Sequence, residues 1–205
     1  MASTRDALLD GALHVMQTRG LARTTTKEIA RAAGYSEATL YKLFDDKFDL
    51  FLCVLFERLP TVGVADGDAA TLAGTGSVAG NLQRIVVEMI GYYRAILPIG
   101  MSIFSDSGLL ARHRDAVRTR GPGPERITEG VRAYLAAEQE GGRVAAAAPI
   151  AGIAMALVGA CMHEAFLWCS NGDTGDATAQ ESPALNAFAA EVLAAILPAL
   201  DLTPD

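Results

Sequence analysis

A chain of 205 residues that is 51% hydrophobic and 20% charged has the material for a sizeable folded core, which excludes a disordered polymer. Its net charge of −7 argues against nucleic acid as a partner of the chain as a whole, but the charge is unevenly spread. Residues 1–60 hold eight Lys/Arg and eight Asp/Glu, whereas residues 61–205 hold nine against sixteen, so an acidic body joins a neutral head that is compatible with DNA binding. Cys53, Cys161 and Cys169 are odd in number and widely spaced, as expected of reduced thiols in the cytoplasm rather than a disulfide framework. The charged, amphipathic N-terminus does not read as a signal peptide.

In chain order the periodicity is helical almost throughout. Ser3–Arg19 gathers Leu8, Leu9, Ala12, Leu13, Val15 and Met16 on one face, and Gly20 follows as a stop. Two short helices come next. Asp46–Leu59 carries the stripe Phe48, Leu52, Leu55 and Phe56 and is closed by Pro60. Thr61–Gly80 reads as a loop or weak helix and as the best boundary. Leu82–Leu97 is an apolar helix ended by Pro98, Met101–Arg114 a short helix, and Ala116–Arg120 the start of another that "RGPGPE", Arg120–Glu125, interrupts. Arg126–Glu140 stops at Gly141–Gly142. Pro149–Ser170 is long and apolar. Within Ala145–Met162 there is no charge, but the Ala/Gly composition and a proline favour a buried or interface helix over a membrane span. The stretch "NGDTGDATAQES" reads as a polar loop, and Pro183–Leu197 as a final helix with proline in its first turn. With no strand alternation, repeat or glycine-rich phosphate loop, the fold class is all-α.

The segment Thr24–Lys47 differs from the rest and contains every lysine of the chain, Lys27, Lys42 and Lys47. Thr25 with Glu28 has capping-box spacing, with Thr26 as an alternative N-cap. The helix so begun turns Ile29, Ala30 and Ala33 inward and ends at Gly34. Ser36 caps a second helix, Glu37–Leu43, after a turn of helix-turn-helix length. Ala30 allows close crossing and Leu40 plugs the gap, with support expected from Leu9, Leu13, Met16, Phe44 and Phe48. The exposed side of the second helix offers Glu37, Ala38, Thr39, Tyr41 and Lys42, which suit phosphates and base edges. Thr26 and Lys47 stand at helix starts, where N–H groups favour phosphate. The alternative is an ordinary helical hairpin with well-made caps.

These residues carry a resemblance. "TTKEIARAAGYSEATLYKLFDDKFDLF" is similar to the N-terminal DNA-binding domain of the tetracycline-repressor (TetR) family, in the frame Thr-Thr-x-x-Ile-Ala, Ala-Gly-x-Ser, Thr-Leu-Tyr and Phe-x-x-Lys-x-x-Leu. The likeness covers about the first fifty residues; the remainder agrees only in size and helical class. It implies a helix-turn-helix domain over residues 1–50 and a helical ligand-binding and dimerisation domain over residues 51–205. It further implies a homodimeric transcription regulator, usually a repressor, that binds a two-fold symmetric duplex and is released by a small molecule. Carried across, Thr26 contacts phosphate, Thr39 and Tyr41 serve the recognition helix, and Lys47 anchors phosphate. Ser36, Glu37, Ala38 and Lys42 complete the candidate DNA-binding set. Ala38, Leu43 and Phe48 depart from the common pattern, and Asp45 and Asp46 bring negative charge near the DNA, although Asp46 suits an N-cap.

For the second domain, the Gly152, Ala156, Ala160 stripe and the apolar set Leu185, Phe188, Val192 and Ile196 put the last two helices at a dimer interface by the same resemblance, the alternative being monomer core. A largely apolar effector would draw on Met89, Tyr92, Tyr93, Met101 and Phe104 from the middle of the chain. Met162, His163, Phe166 and Trp168 would supply the rest of that pocket. No cofactor or metal is expected. Cys161, His163 and Glu164 do not share one helical face, and Leu167 stands where a zinc-hydrolase helix needs its second histidine, so catalysis is not expected. A helical interaction module and a transcriptional activator using the same head are the remaining alternatives.

Overall fold

The computed structural model describes residues 3–120, 123–172 and 182–202. Among them the chain forms ten α-helices, three single 3₁₀ turns and no strand. Most of the loop expected after Ser170 lies outside the described residues, as do Gly121 and Pro122 of the "RGPGPE" interruption. The chain divides into two compact units, and neither is one continuous stretch: the first is Met1–Leu59 with Ala95–Gly121, the second Pro60–Arg94 with Pro122–Asp205. The division at residue 50 read from sequence is a cut in the chain, whereas the observed first unit also takes in a segment half the chain away.

In the first unit, α1 (Thr4–Arg23) opens on a capping box between Ser3 and Asp6. Its expected stop at Gly20 is a kink: Gly20 adopts φ 72°, ψ 160°, a region essentially reserved for glycine, and one further turn follows to Arg23. The capping box on α2 (Thr26–Ala32) uses Thr25, which settles the choice left open between Thr25 and Thr26. Helix α3 is shorter than expected, Glu37–Leu40 rather than Glu37–Leu43. After it the chain tightens into turns in which Lys42 donates to the Thr39 carbonyl and Leu43 to that of Leu40.

Helix α4 (Lys47–Glu57) buries Phe48, Leu50, Phe51, Leu52 and Val54, while Phe56, expected in the stripe, is half exposed. With Leu50, Phe51 and Val54 facing inward the apolar stripe is wider than read, and Phe56 falls off its edge. The core joins Leu8, Leu9, Ala12 and Met16 of α1 to Ile29, Leu40, Phe44, Phe48 and Phe51. It is completed from far along the chain by Ile99, Ile103 and Ala116.

Those residues belong to the end of α6 (Val78–Gly100), a 3₁₀ turn at Met101–Ile103, and α7 (Ser107–Arg120). Two expectations are corrected here. Pro98 lies inside α6 instead of ending it, because in a last turn proline forfeits little more than its own bond to the Arg94 carbonyl. The two fragments expected on either side of Asp115 form one helix, α7, since nothing in "RHRDAVR" breaks one.

In the second unit the weak segment after Pro60 forms a 3₁₀ turn, Gly63–Ala65, and the single-turn α5 (Ala69–Leu72). Both pack on α8 (Glu125–Glu140), which in turn packs on α9 (Ile150–Ser170). Leu82, Ile85, Val86, Met89 and Ile90 of α6 are buried, as are Ile127, Val131, Tyr134 and Leu135 of α8. From α9 come Ile153, Ala154, Leu157, Val158 and Cys161, and from α10 (Pro183–Ile196) Leu185, Ala189 and Leu193. Glu138, almost fully buried, meets Arg143, whose guanidinium also donates to the Gly76 carbonyl at 2.6 Å, so a paired charge ties the loop before α6 to the end of α8. By length and composition α9 could cross a membrane, and 33% of its apolar window is buried within this chain.

Helix α8 comes close to the 63–65 turn at Gly130, where an added Cβ would sit 2.4 Å from the Val64 carbonyl oxygen. Gly130→Ala is therefore expected to cost about 1–3 kcal/mol through overpacking, read as a lower urea midpoint; an unchanged midpoint would contradict this packing of α8 on the 63–65 turn.

Candidate nucleic-acid interface

The geometry of the head follows from what happens at the two ends of the segment that holds α2 and α3. The last carbonyls of a helix lack partners within it, and at the end of α1 the Lys47 ammonium takes them up: Nζ donates to Leu21 O at 2.9 Å and Thr24 O at 2.8 Å, with Ala22 O at 3.4 Å. The buried Thr24 hydroxyl adds a bond to the Gly20 carbonyl at 2.8 Å. Burial pushes the Lys47 pKa down, partly offset by Asp106. All three ammonium donors are thus engaged within the protein. Beside it, Asp46 caps α4, its Oδ1 accepting from Phe48 N at 2.8 Å and Asp49 N at 2.9 Å. Its Oδ2 accepts from Arg112 Nη2 at 2.7 Å. Burial alone would raise the Asp46 carboxyl, but the Asp49 N–H, Arg112 and the Phe48 N–H together hold it below the usual carboxylate range.

Between these anchors the outer surface is polar and tied together. Thr26 donates to the Glu37 carboxylate, and its hydroxyl lies 3.2 Å from the Tyr41 hydroxyl, so the start of α2 is linked to both ends of the recognition turn. Ser36 accepts from Thr39 N at 3.2 Å, and the two hydroxyls lie 2.9 Å apart. Ala38, Tyr41 and Lys42 are exposed, and Thr26, Glu37 and Thr39 are partly so. Thr26, Glu37 and Tyr41 are therefore brought together at one place and Ser36 and Thr39 at another, while Lys47 is turned toward the backbone of α1. The candidate set left out Tyr35 and Leu43, which are 39% and 43% exposed in the flanking turns. It also passed over Arg112, sixty-six residues beyond Asp46, which local spacing cannot reveal.

The candidate effector residues are dispersed. Met101 and Phe104 are exposed and belong to the first unit. In the second, Met89 and Tyr93 are core, and Tyr92 meets Tyr93 edge-on with ring centroids 5.4 Å apart. Burial raises both tyrosine pKa values. Trp168 stacks under Arg94 at 5.0 Å, and Arg94 pairs with Glu164. Met162, His163 and Phe166 occupy the exposed face of α9, so His163 points away from the buried Cys161. No cluster of potential metal ligands occurs among the described residues. An open groove of about 280 Å³, lined by His14, Val15, Thr18, Arg19, Glu28, Arg31 and Ala32, holds none of the expected residues.

Residues 8–54, which span α2, α3 and the Lys47 tie to the end of α1 but not Arg112, match the model of the bacterial regulatory proteins of the tetR family. Within residues 8–54 the chain carries the DNA-binding segment of that family. An uncharacterised HTH-type transcriptional regulator of Bacillus subtilis, YvkB, is 40% identical over 58 residues, a match that covers 28% of this chain and only 31% of that protein. The fold likeness runs further. FadR from Bacillus halodurans, a fatty acid degradation regulator, superposes with a TM-score of 0.66 at 16% identity, over 94% of this chain and 96% of its own. FadR from Bacillus subtilis in complex with stearoyl-CoA gives 0.66 at 14%, over 94% and 97%. SmeT, the repressor of the Stenotrophomonas maltophilia efflux pump SmeDEF, gives 0.62 at 16%, over 94% and 90%. At these identities the likeness establishes a TetR-type all-helical fold across the chain.

The lysine clamp makes a stability prediction for this head. Lys47→Met keeps much of the aliphatic stem but removes the donor to the Leu21 and Thr24 carbonyls, and should cost about 1.5–3 kcal/mol, the usual worth of hydrogen bonds to a charged group. Urea unfolding with the wild type as reference measures it; a loss below a few tenths of a kcal/mol would mean water replaces the ammonium freely.

Proposed function

We propose that this protein is a ligand-responsive, DNA-binding transcription regulator that works as a homodimeric repressor. The single observation that carries the DNA-binding part is the exposed, mutually bonded Thr26–Glu37–Tyr41 surface, with Thr39 and Lys42 beside it on a recognition turn tied at both ends. Hydroxyls, a phenol and an ammonium on a rigid support suit contacts to phosphates and base edges. Charge supports the same assignment: the first unit holds twelve Lys/Arg against ten Asp/Glu, the second five against fourteen, so a polyanion is favoured by the head alone. Two heads in a symmetric dimer would meet a two-fold symmetric operator.

Dimerisation is supported by the outer side of α9. Met155, Gly159, Met162 and Phe166 recur at helical spacing and are exposed, opposite the buried stripe of Ile153, Leu157, Cys161 and Ala165. Gly152 and Ala156 widen this face, and a smooth apolar stripe of this kind is what a second copy would cover. The effector is a small, largely apolar molecule bound by the second unit, a reading that agrees with the apolar acyl chain, though not the polyanionic CoA part, of the stearoyl-CoA in complex with the FadR neighbour. Helix α6 contributes to both units, through Arg94 to the second and from Ala95 to the first, and is the element through which occupancy would bias the heads. A coupling of about 1–3 kcal/mol is typical of such a switch.

Two experiments bear on this reading. In fluorescence anisotropy with its own upstream DNA and a shuffled duplex, the protein should prefer the former in a salt-sensitive manner. Tyr41→Ala should lose about 1–2 kcal/mol of binding while, at a half-exposed site, leaving the melting temperature nearly unchanged. Absence of binding at low salt by folded protein would overturn the assignment. In sedimentation equilibrium the wild type should be a dimer and Met155→Asp a folded monomer by circular dichroism; an unaltered dimer would place the interface elsewhere.

A further inference from the structure

The start of α4 poses an electrostatic problem for a DNA-binding head. Asp45 and Asp46 place two carboxylates there, and the neighbouring cation, Lys47, has spent its donors on the carbonyls of α1. A phosphate approaching this edge of the head would meet net negative charge. What it finds instead comes from α7. The Arg112 guanidinium lies 4.5 Å over the Phe48 ring and bonds Asp46 Oδ2 through Nη2. Phe48 holds one face of the guanidinium and Asp46 one corner. The remaining N–H groups make no other bond to a described residue, and the side chain is 51% exposed. A planar donor fork held on two sides, with its free edge in solvent, is preorganised for a phosphate oxygen at low entropic cost.

We infer that Arg112 of α7 is a DNA-phosphate contact of this protein, reaching the backbone beside the start of α4. The inference rests on the DNA-binding reading above and adds to it a residue from outside the helix-turn-helix segment. Arg112 serves there in two ways. It cancels the Asp46 charge where a phosphate passes, and it presents the free donors that Lys47 lacks. The other arginines of α7 are placed differently. Arg114 and Arg118 are four residues apart on the same helix face, turned about 200–240° from Arg112, and both are exposed. They carry the same charge on the same helix without the approach to Asp46.

The test is the salt dependence of binding to a duplex recovered from a random library with the wild-type protein. Arg112→Gln alone would expose Asp46 and confound repulsion with loss of contact, so the informative variant is Asp46→Ser/Arg112→Gln. Serine preserves the N-cap, and the pair leaves the net charge unchanged. Loss of a phosphate contact lowers the slope of log K against log[salt] by about 1 per head, roughly 2 for a dimer on a two-fold site. That loss should appear in the double variant and be absent from Arg112→Lys, which keeps a cation there. Arg114→Gln should lower the slope by markedly less. Melting curves would confirm that each variant is folded. A double variant with the wild-type slope would overturn the inference, reducing Arg112 to a partner of Asp46. Recovery of no duplex by the folded wild type would overturn the DNA-binding reading itself, and this inference with it.

Discussion

The recognition turn sits where it does because a single ammonium closes the segment that carries it. Residues 25–46 leave α1 at Thr24 and return at Lys47, and the Lys47 Nζ bonds to the Leu21 and Thr24 carbonyls join those two ends. Closing a stretch of this length costs loop entropy once, after which α2 and α3 need only pack locally to hold their places. The carbonyls are available because α1 ends there, at Arg23 with Thr24 extended, one turn beyond the positive φ of Gly20. Glycine, threonine and lysine thus act as one unit across twenty-seven residues of chain. A lysine that looks like a phosphate ligand in a linear motif is here first a structural tie.

The next residue back extends the same logic outward. Asp46 uses one oxygen to cap α4 and the other to hold Arg112, so the start of α4 is fixed to the end of α1 on one side and to α7 on the other. The head is consequently larger than a helix-turn-helix. Its core needs Ile99, Ile103 and Ala116 to close, which a segment of about fifty residues could not supply by itself. Recruiting α7 also changes the electrostatics. This helix carries four arginines against one aspartate and gives the first unit its small cationic excess within an acidic chain.

The second unit has a different character. Its helices α9 and α10 are rich in alanine and glycine, and α9 has an apolar side turned inward and another turned out. Among the described residues of one copy that outer side stays exposed, which is the surface the proposed homodimer would cover. The candidate effector residues found by composition alone divide between core, outer face and the other unit. Met and aromatic content signals adaptable packing, and packing is needed in all of those places.

What the sequence alone determined was local. The all-helical class, the capping boxes, the glycine turns and the family frame of residues 24–51 all depend on side chains within four or five positions of one another, where spacing and geometry are nearly the same thing. Thr25 and Glu28, Ser36 and Thr39, and Asp46 with its cap were legible for that reason. So was most of the polar face that includes Thr26 and Tyr41. Element ends were less so: Pro98 in a last turn costs too little to stop α6, and the turns after α3 satisfy the same backbone groups as a longer helix would. Only the tertiary structure decided where Lys47 points, which helix completes the head, and that Arg112 stands beside Asp46. Each depends on groups distant in sequence competing for one carbonyl, one cavity or one carboxylate oxygen, and the winner is set by three-dimensional proximity that no local pattern encodes.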